Sequence, residues 1–370
     1  MLRIGVSLEF IKHGKVGGAE QSAISLVNGL NDCLKEGEKI IVFASERING
    51  LSDSIQWIQT KQRSRFINET LNPIVYRKDI DVFLYTNYFT PLFSLRRSKI
   101  ITIIRDLKYL TFPEHSPLVK RLWLRLCHAI TLRKANRIVV ISDFVKSDLL
   151  NRYGAKWDEK IEVIHNPINW NFFDGRKNDI VHRRDYPYVL SVSAQWSHKN
   201  LDTLVKSFKA VKDVYKDYKL LLVGQLSSNL SSRLEGVVDI GKVIEDVGLG
   251  NEVMVTGYLS DDEIVSVYKN AKLFVFPSLF EGFGRPPVEA LGLGLPVLTN
   301  KLSSLLEVTK GFANYVEDVR DENELANNII AILSDPEKYR PTSEQVSRIR
   351  ESYDINSVSQ KMYELIKLVG

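Results

Sequence analysis

The sequence predicts an α/β fold of two Rossmann-like domains with parallel sheets, and three observations carry that expectation. Short apolar runs alternate with amphipathic stretches along the chain, the pattern of strands that feed crossover helices. The 370 residues exceed what one ordinary core encloses. The alternation lapses between His165-Asn166-Pro167 and Tyr186-Pro187, a stretch rich in Asn, Pro, Asp and Arg that reads as a linker.

In the first half, the runs Ile4–Leu8, Ile40–Phe43, Val82–Tyr85, Ile100–Ile104 and Arg137–Ile141 read as strands. In the second half the strands are Tyr188–Val192, Lys219–Val223, Val253–Thr256, Leu273–Phe276 and Pro296–Leu298. The chain enters its first strand at once, without the charged-then-apolar signature of a signal peptide. No run approaches the roughly 18–20 apolar residues of a membrane span. Cys33 and Cys127 are the only cysteines, so neither a disulfide framework nor a metal spacing is available, and a reducing cytoplasm is the expected location.

Charge is unevenly spread. Residues 1–166 hold 26 Lys and Arg against 17 Asp and Glu, a net of +9, which leaves −4 of the total +5 for the rest. The basic half suits an anionic lipid surface or a phosphate-bearing acceptor, and equally an ordinary solvated surface. No nucleic-acid partner is expected. The segment Leu118–Lys134 sets Lys120, Arg121, Trp123, Arg125, Arg133 and Lys134 among apolar residues. It reads first as a packed helix, with peripheral contact to an anionic membrane at its inner face as the alternative.

The densest chemistry lies in Ser278–Ala290. Glu281 and Glu289 stand eight positions apart, around a glycine loop that runs into a helix start marked by Pro286 and Pro287. A helix N-terminus presents unpaired N–H groups and partial positive charge, which suits a diphosphate. Ionised carboxylates only accept hydrogen bonds, so their partners there are hydroxyls, as on a sugar or ribose. The combination points to a sugar nucleotide.

This segment resembles the E-x7-E motif of retaining GT-B glycosyltransferases of the GT4 family. The resemblance runs from Tyr188 to about Tyr339 and, more loosely, through the first half. It implies the GT-B fold, with two Rossmann-like domains whose sheets face a central cleft. An acceptor domain would span 1–168 and a donor domain 169–355, with the last helix, about 356–370, crossing back onto the first. By resemblance Glu281 meets the donor sugar, Glu289 binds the ribose, and Phe283 and Gly284 offer backbone N–H groups. Lys199, beside Asn200 as cap of a helix Leu201–Asp213, would neutralise the departing diphosphate. The arginine that relatives carry five positions earlier is Ala194 here, and Arg285, Arg105 or His198 could take its part. Gly257, and more weakly Gly224, would lie where the family holds the base.

On the acceptor side, Gly14-Lys15-Val16-Gly17-Gly18 fits neither a Walker loop nor a dinucleotide fingerprint. By resemblance, Gly17 and Gly18 lie near donor phosphate and acceptor. Arg105 stands where many relatives have histidine, and Asp106 matches the family and could bind an acceptor hydroxyl. Ser142 reads as a helix cap. Asp79-Ile80-Asp81 has the Asp-x-Asp form of metal-dependent transferases, but it precedes a strand instead of ending one and is set aside. No metal or other cofactor is expected.

The function implied is retaining transfer from a nucleoside-diphosphate sugar to a glycan or lipid-linked acceptor. The setting would be bacterial-type O-antigen or capsule assembly, with mannosyl or rhamnosyl transfer as an expectation resting on no residue. A sugar-nucleotide epimerase or hydrolase and a non-catalytic partner subunit are the other readings.

Overall fold

The computed structural model describes residues 2–11, 17–60, 67–69, 80–91, 98–175, 184–224 and 236–370. Gly14, Lys15, Val16 and Asp79 lie outside the described residues. The chain divides into two units, one of residues 1–113, 117–169 and 352–370, the other of residues 114–116 and 170–351.

The first unit holds a parallel sheet of β1 (Arg3–Ser7), β2 (Lys39–Ala44), β3 (Gln56–Gln59), β4 (Val82–Tyr85), β5 (Lys99–Ile104), β6 (Arg137–Val140) and β7 (Ile161–Val163). Their order is β3-β2-β1-β4-β5-β6-β7. Register is continuous through the centre, with Val6 opposite Val42 on one side and Leu84 on the other. These strands are apolar on both faces because helices cover both. The helices include α1 (Gly18–Cys33), α2 (Leu118–Lys134) and α3 (Asp143–Tyr153). Ser142 caps α3, its Oγ accepting from the Val145 amide at 3.1 Å. The C-terminal helix Ile355–Val369 packs on α1, and a Cβ on Gly29 would stand 2.2 Å from Ser359 Oγ. Glycine is what lets the two backbones come this close.

The second unit is a parallel sheet of β8 (Tyr188–Val192), β9 (Lys219–Val223), β10 (Val253–Val255), β11 (Leu273–Val275), β12 (Val297–Asn300) and β13 (Asn314–Val316), ordered β10-β9-β8-β11-β12-β13. Around it lie α4 (Leu201–Val214), α5 (Asp261–Asn270), α6 (Arg285–Gly292) and α7 (Glu322–Ser334). Val189, Leu204, Phe208, Leu220, Val275 and Ile329 meet in its core.

Three strands were not legible as apolar runs. β3 and β7 are the two edges of the first sheet, and β13 is an edge of the second. Their sequences Gln-Trp-Ile-Gln, Ile-Glu-Val and Asn-Tyr-Val carry polar residues because an edge is half solvated. The stretch read as linker also holds a one-turn helix, Trp170–Asp174. Trp170 and Phe173 are buried there, Trp170 Nε1 donating to the Arg350 carbonyl at 3.0 Å and Phe173 meeting Tyr268 edge-on. Two aromatic anchors suffice to seat it without a longer apolar period. Among the described residues no helix is long and apolar enough to cross a membrane.

Candidate functional site

Strand order in the second sheet reverses between β8 and β11, and in open parallel sheets the crevice for ligands lies beyond the carboxyl ends at such a point. The segments that leave these two strands carry Lys199 and Glu281. After β8 the chain makes a single 3₁₀ turn, Ser197–Lys199, then enters α4 through Asn200. Asn200 does not cap α4 with its side chain, contrary to the sequence expectation. Its backbone is left-handed at φ 56°, which asparagine tolerates better than most residues. Its Nδ2 donates to the Val319 carbonyl and its Oδ1 accepts from Thr203 Oγ1. The residue thereby fixes the turn that presents Lys199.

The loop after β11 is tied to that turn. The Leu279 amide donates to the His198 carbonyl at 2.7 Å, and Ser278 Oγ reaches the same oxygen at 3.2 Å. From the other side Asn300 Nδ2 donates to the Ser278 carbonyl. The Glu281 amide donates to Ser303 Oγ at 2.9 Å, while Ser304 Oγ contacts the carbonyls of Glu281 and Phe283, each at 3.0 Å. With both loops braced, Lys199 Nζ lies 2.5 Å from Glu281 Oε1, and both side chains are mostly buried. The ammonium also lies over the Phe276 ring at 5.6 Å. Ser303 and Ser304 were missed in the sequence because no local pattern links them to a loop more than twenty positions earlier.

Gly284 turns the loop into α6 with φ 84°, and a Cβ there would meet Leu305 Cδ2 at 2.8 Å. Pro286 and Pro287 follow as the second and third helical residues. Glu289 is therefore the fifth residue of α6 and not in its first turn, so the helix dipole does little for it. Two side chains hold it instead. Arg285 Nε lies 2.5 Å from Oε1, and the Tyr268 hydroxyl donates to Oε2 at 3.1 Å. Burial, and then the adjacent carboxylate, raise the Tyr268 pKa well above the ordinary tyrosine range, so the phenol keeps the proton it donates. Arg285 is thus engaged with Glu289, and Tyr268 is a further residue that the motif did not reveal.

At the ends of β9 and β10, the Gly224 amide donates to the Gly257 carbonyl at 3.1 Å. A Cβ on Gly224 would fall 2.1 Å from the Ser193 carbonyl oxygen, so this close crossing requires glycine. Gly257 has open space where a Cβ would be, and Tyr258 beside it is exposed. His198 is buried, its ring 5.7 Å from that of His115, whose Nε2 lies 2.8 Å from Ser197 Oγ.

The remaining candidates belong to the first unit. The Gly17 amide donates to Glu20 Oε2 at 3.0 Å, so the start of α1 is capped by its own carboxylate. Gly18 has open space around its Cβ position. Arg105 is buried, with Nε donating to the Thr86 carbonyl and Nη1 to Asn166 Oδ1 at 3.2 Å. Asp106 Oδ1 accepts from the Lys108 amide. Neither Cys33 nor Cys127 forms a disulfide among the described residues. Among the described residues no group of three or more His, Cys, Asp and Glu side chains is placed to hold a metal ion.

Comparison with known proteins matches this chain in both halves. The family model described as Glycosyl transferases group 1 covers residues 174–348, and that described as Glycosyltransferase Family 4 covers residues 16–172. The O-antigen chain mannosyltransferase RfbU of Salmonella typhimurium is 26% identical over 72% of this chain and 68% of its own length. The serotype-specific mannosyltransferase WbdA of Escherichia coli is 26% identical over 57% of this chain, a match that spans only 25% of WbdA. Among solved structures, HepE of Anabaena in complex with UDP-glucose superposes with a TM-score of 0.77 at 17% identity, covering 100% of both chains. That likeness establishes a shared GT-B fold.

Proposed function

We propose that this chain, a glycosyltransferase of the GT-B fold, is a retaining and metal-independent enzyme of cell-surface polysaccharide assembly. It moves a mannosyl or rhamnosyl residue from a nucleoside-diphosphate sugar to a hydroxyl of a glycan or lipid-linked acceptor. The observation that carries the reading is the pairing of Lys199 with Glu281 at 2.5 Å beyond the sheet's switch point, in the loop that leads four residues later to Arg285 of the Arg285–Glu289–Tyr268 group. Support for the sugar comes from the relatives, which are named as O-antigen and serotype-specific mannosyltransferases.

In this reading the donor enters at the Lys199–Glu281 pair. The diphosphate takes the ammonium, and a sugar hydroxyl donates to the carboxylate in its place. Glu289 accepts from the ribose hydroxyls while Arg285 and Tyr268 keep it oriented. Tyr258 offers a face on which the base stacks. The bond from C1 to the diphosphate oxygen breaks, and the acceptor oxygen bonds to C1 on the same face. The acceptor's proton passes to the departing phosphate oxygen. Lys199 holds the charge that develops on that phosphate, a contribution of about 3–4 kcal/mol for a preorganised group.

The test is transfer of sugar from a nucleoside-diphosphate-mannose to an acceptor extract, followed by mass spectrometry. Lys199→Ala and Glu281→Gln are expected to lower kcat by roughly two to three orders of magnitude with unchanged thermal midpoints. Near-normal turnover in either variant removes that residue from the site. Donor breakdown at equal rates with and without acceptor would make the chain a hydrolase instead.

A further inference from the structure

We propose that His115 is a positioning residue for Lys199, which rests on the donor-site reading above and adds to it a side chain that no motif marks. Through Ser197, the imidazole fixes the turn that aims the Lys199 ammonium at the diphosphate.

His115 comes from far off in the chain, 82 positions before Ser197, in the short piece 114–116 that belongs to the second unit. Its side chain is 4% exposed. Its Nε2 lies 2.8 Å from Ser197 Oγ, and a hydroxyl, which both donates and accepts, suits either tautomer of the ring. Glu114 Oε1, at 3.7 Å from the same nitrogen, is beyond hydrogen-bond reach. The ring also lies against Gly236, where a Cβ would collide with it. The Gly236 carbonyl in turn accepts from the Ser197 amide at 2.8 Å. Ser197 is therefore gripped twice, by its backbone and by its side chain.

That grip matters because Ser197 opens the 3₁₀ turn that Lys199 closes. Within the turn, the Lys199 amide donates to the Trp196 carbonyl at 2.8 Å and the Asn200 amide to the Ser197 carbonyl at 3.0 Å. Two such bonds hold a 3₁₀ turn weakly, so its orientation depends on outside anchors. Before the turn, Trp196 bridges Val237, and the Val238 amide donates to the Gln195 carbonyl at 3.1 Å. At its middle, Leu279 and Ser278 hold the His198 carbonyl. His115 is the side-chain anchor at its first residue. If the Ser197 hydroxyl loses that partner, the turn shifts to find it another. Lys199 is two residues on, and a displacement of about 1 Å is enough to spoil a site of this kind. The competing account is that the imidazole only fills the space over Gly236. A phenyl ring fills that space and cannot hydrogen-bond, which separates the two.

The test is calorimetric titration of the full-length chain with UDP, GDP, dTDP and ADP, carrying forward the tightest of the four. His115→Phe is expected to weaken that nucleotide about ten-fold, and to cause no further loss in a Lys199→Ala background. His115→Gln, whose amide reaches as far as Nε2 and both donates and accepts, should bind nearly as the wild type does. Ser197→Ala removes the same bond from its other end, so it should match His115→Phe and serves if the latter fails to fold. Wild-type affinity in His115→Phe or Ser197→Ala overturns the proposal. So do equal losses with and without Lys199→Ala, and a His115→Gln as weak as His115→Phe. Binding of none of the four nucleotides, or undiminished binding by Lys199→Ala, is a separate result that overturns the donor-site reading and this proposal with it.

Discussion

At the scale of single residues, the carboxylates of the motif differ in how they are held. Among the described residues Glu281 is held by the cation of Lys199, while Glu289 is held by a cation and a phenol. Tyr268→Phe removes a donor to a carboxylate, a bond of about 1.5–3 kcal/mol when one partner is charged. The expected result is a roughly ten-fold rise in KM for the donor with kcat little changed, read from steady-state kinetics. Equal parameters would show that Tyr268 does not position Glu289. A second buried group sets a pH dependence. His128 Nδ1 lies 2.7 Å from the Leu124 carbonyl, and its buried Nε2 has no hydrogen-bond partner among the described residues. Burial lowers the His128 pKa below the ordinary histidine value, partly offset by the Leu124 bond and by Asp106. The unfolded chain therefore binds this proton more readily. Stability should be full above the unfolded histidine pKa, about 6.5, and should fall as pH drops from there toward the lower folded value. His128→Phe is expected to flatten that part of the stability curve in urea titrations across pH. An unchanged acid slope would contradict it.

At the scale of elements, the site depends on two loops that brace each other. Ser304 Oγ contacts the carbonyls of Glu281 and Phe283, so Ser304→Ala should lower the thermal midpoint by a few degrees, since about 1 kcal/mol is a typical net hydrogen bond. Activity should fall further than that loss of stability accounts for, because Glu281 loses its fixed backbone. Gly284→Ala meets both a positive φ and Leu305, at a cost of about 1–3 kcal/mol, measurable by denaturant unfolding. The motif set Glu281, Gly284 and Glu289 apart in the sequence as candidates, and the prolines marked the start of α6 to within one residue. The supports were not legible, for physical reasons. Ser303, Ser304 and Asn300 come from the next strand and its loop, and Tyr268 from the preceding helix, so only the sheet's strand order brings them together. The helix begins at Arg285, one residue before the prolines, so Glu289 is its fifth residue and the Arg285 guanidinium serves Glu289.

At the scale of the whole molecule, two parallel-sheet units follow from the alternation of apolar runs and amphipathic stretches. Central strands such as Val82–Tyr85 and Tyr188–Val192 matched the expected bounds because full burial forces continuous apolar sequence. The edge strands β3, β7 and β13 escaped because solvent relaxes that demand. The central claim is that the second unit binds a nucleoside-diphosphate sugar at Lys199, Glu281 and Glu289 without a bound metal. A thermal-shift panel of UDP, GDP, dTDP, ADP and CMP, each with and without EDTA, tests it most directly. One nucleoside diphosphate is expected to raise the midpoint by several degrees, as about 2.7 kcal/mol at a hundred-fold excess over Kd requires, and EDTA should leave the shift intact. No shift from any nucleotide, or one that EDTA abolishes, would contradict the account.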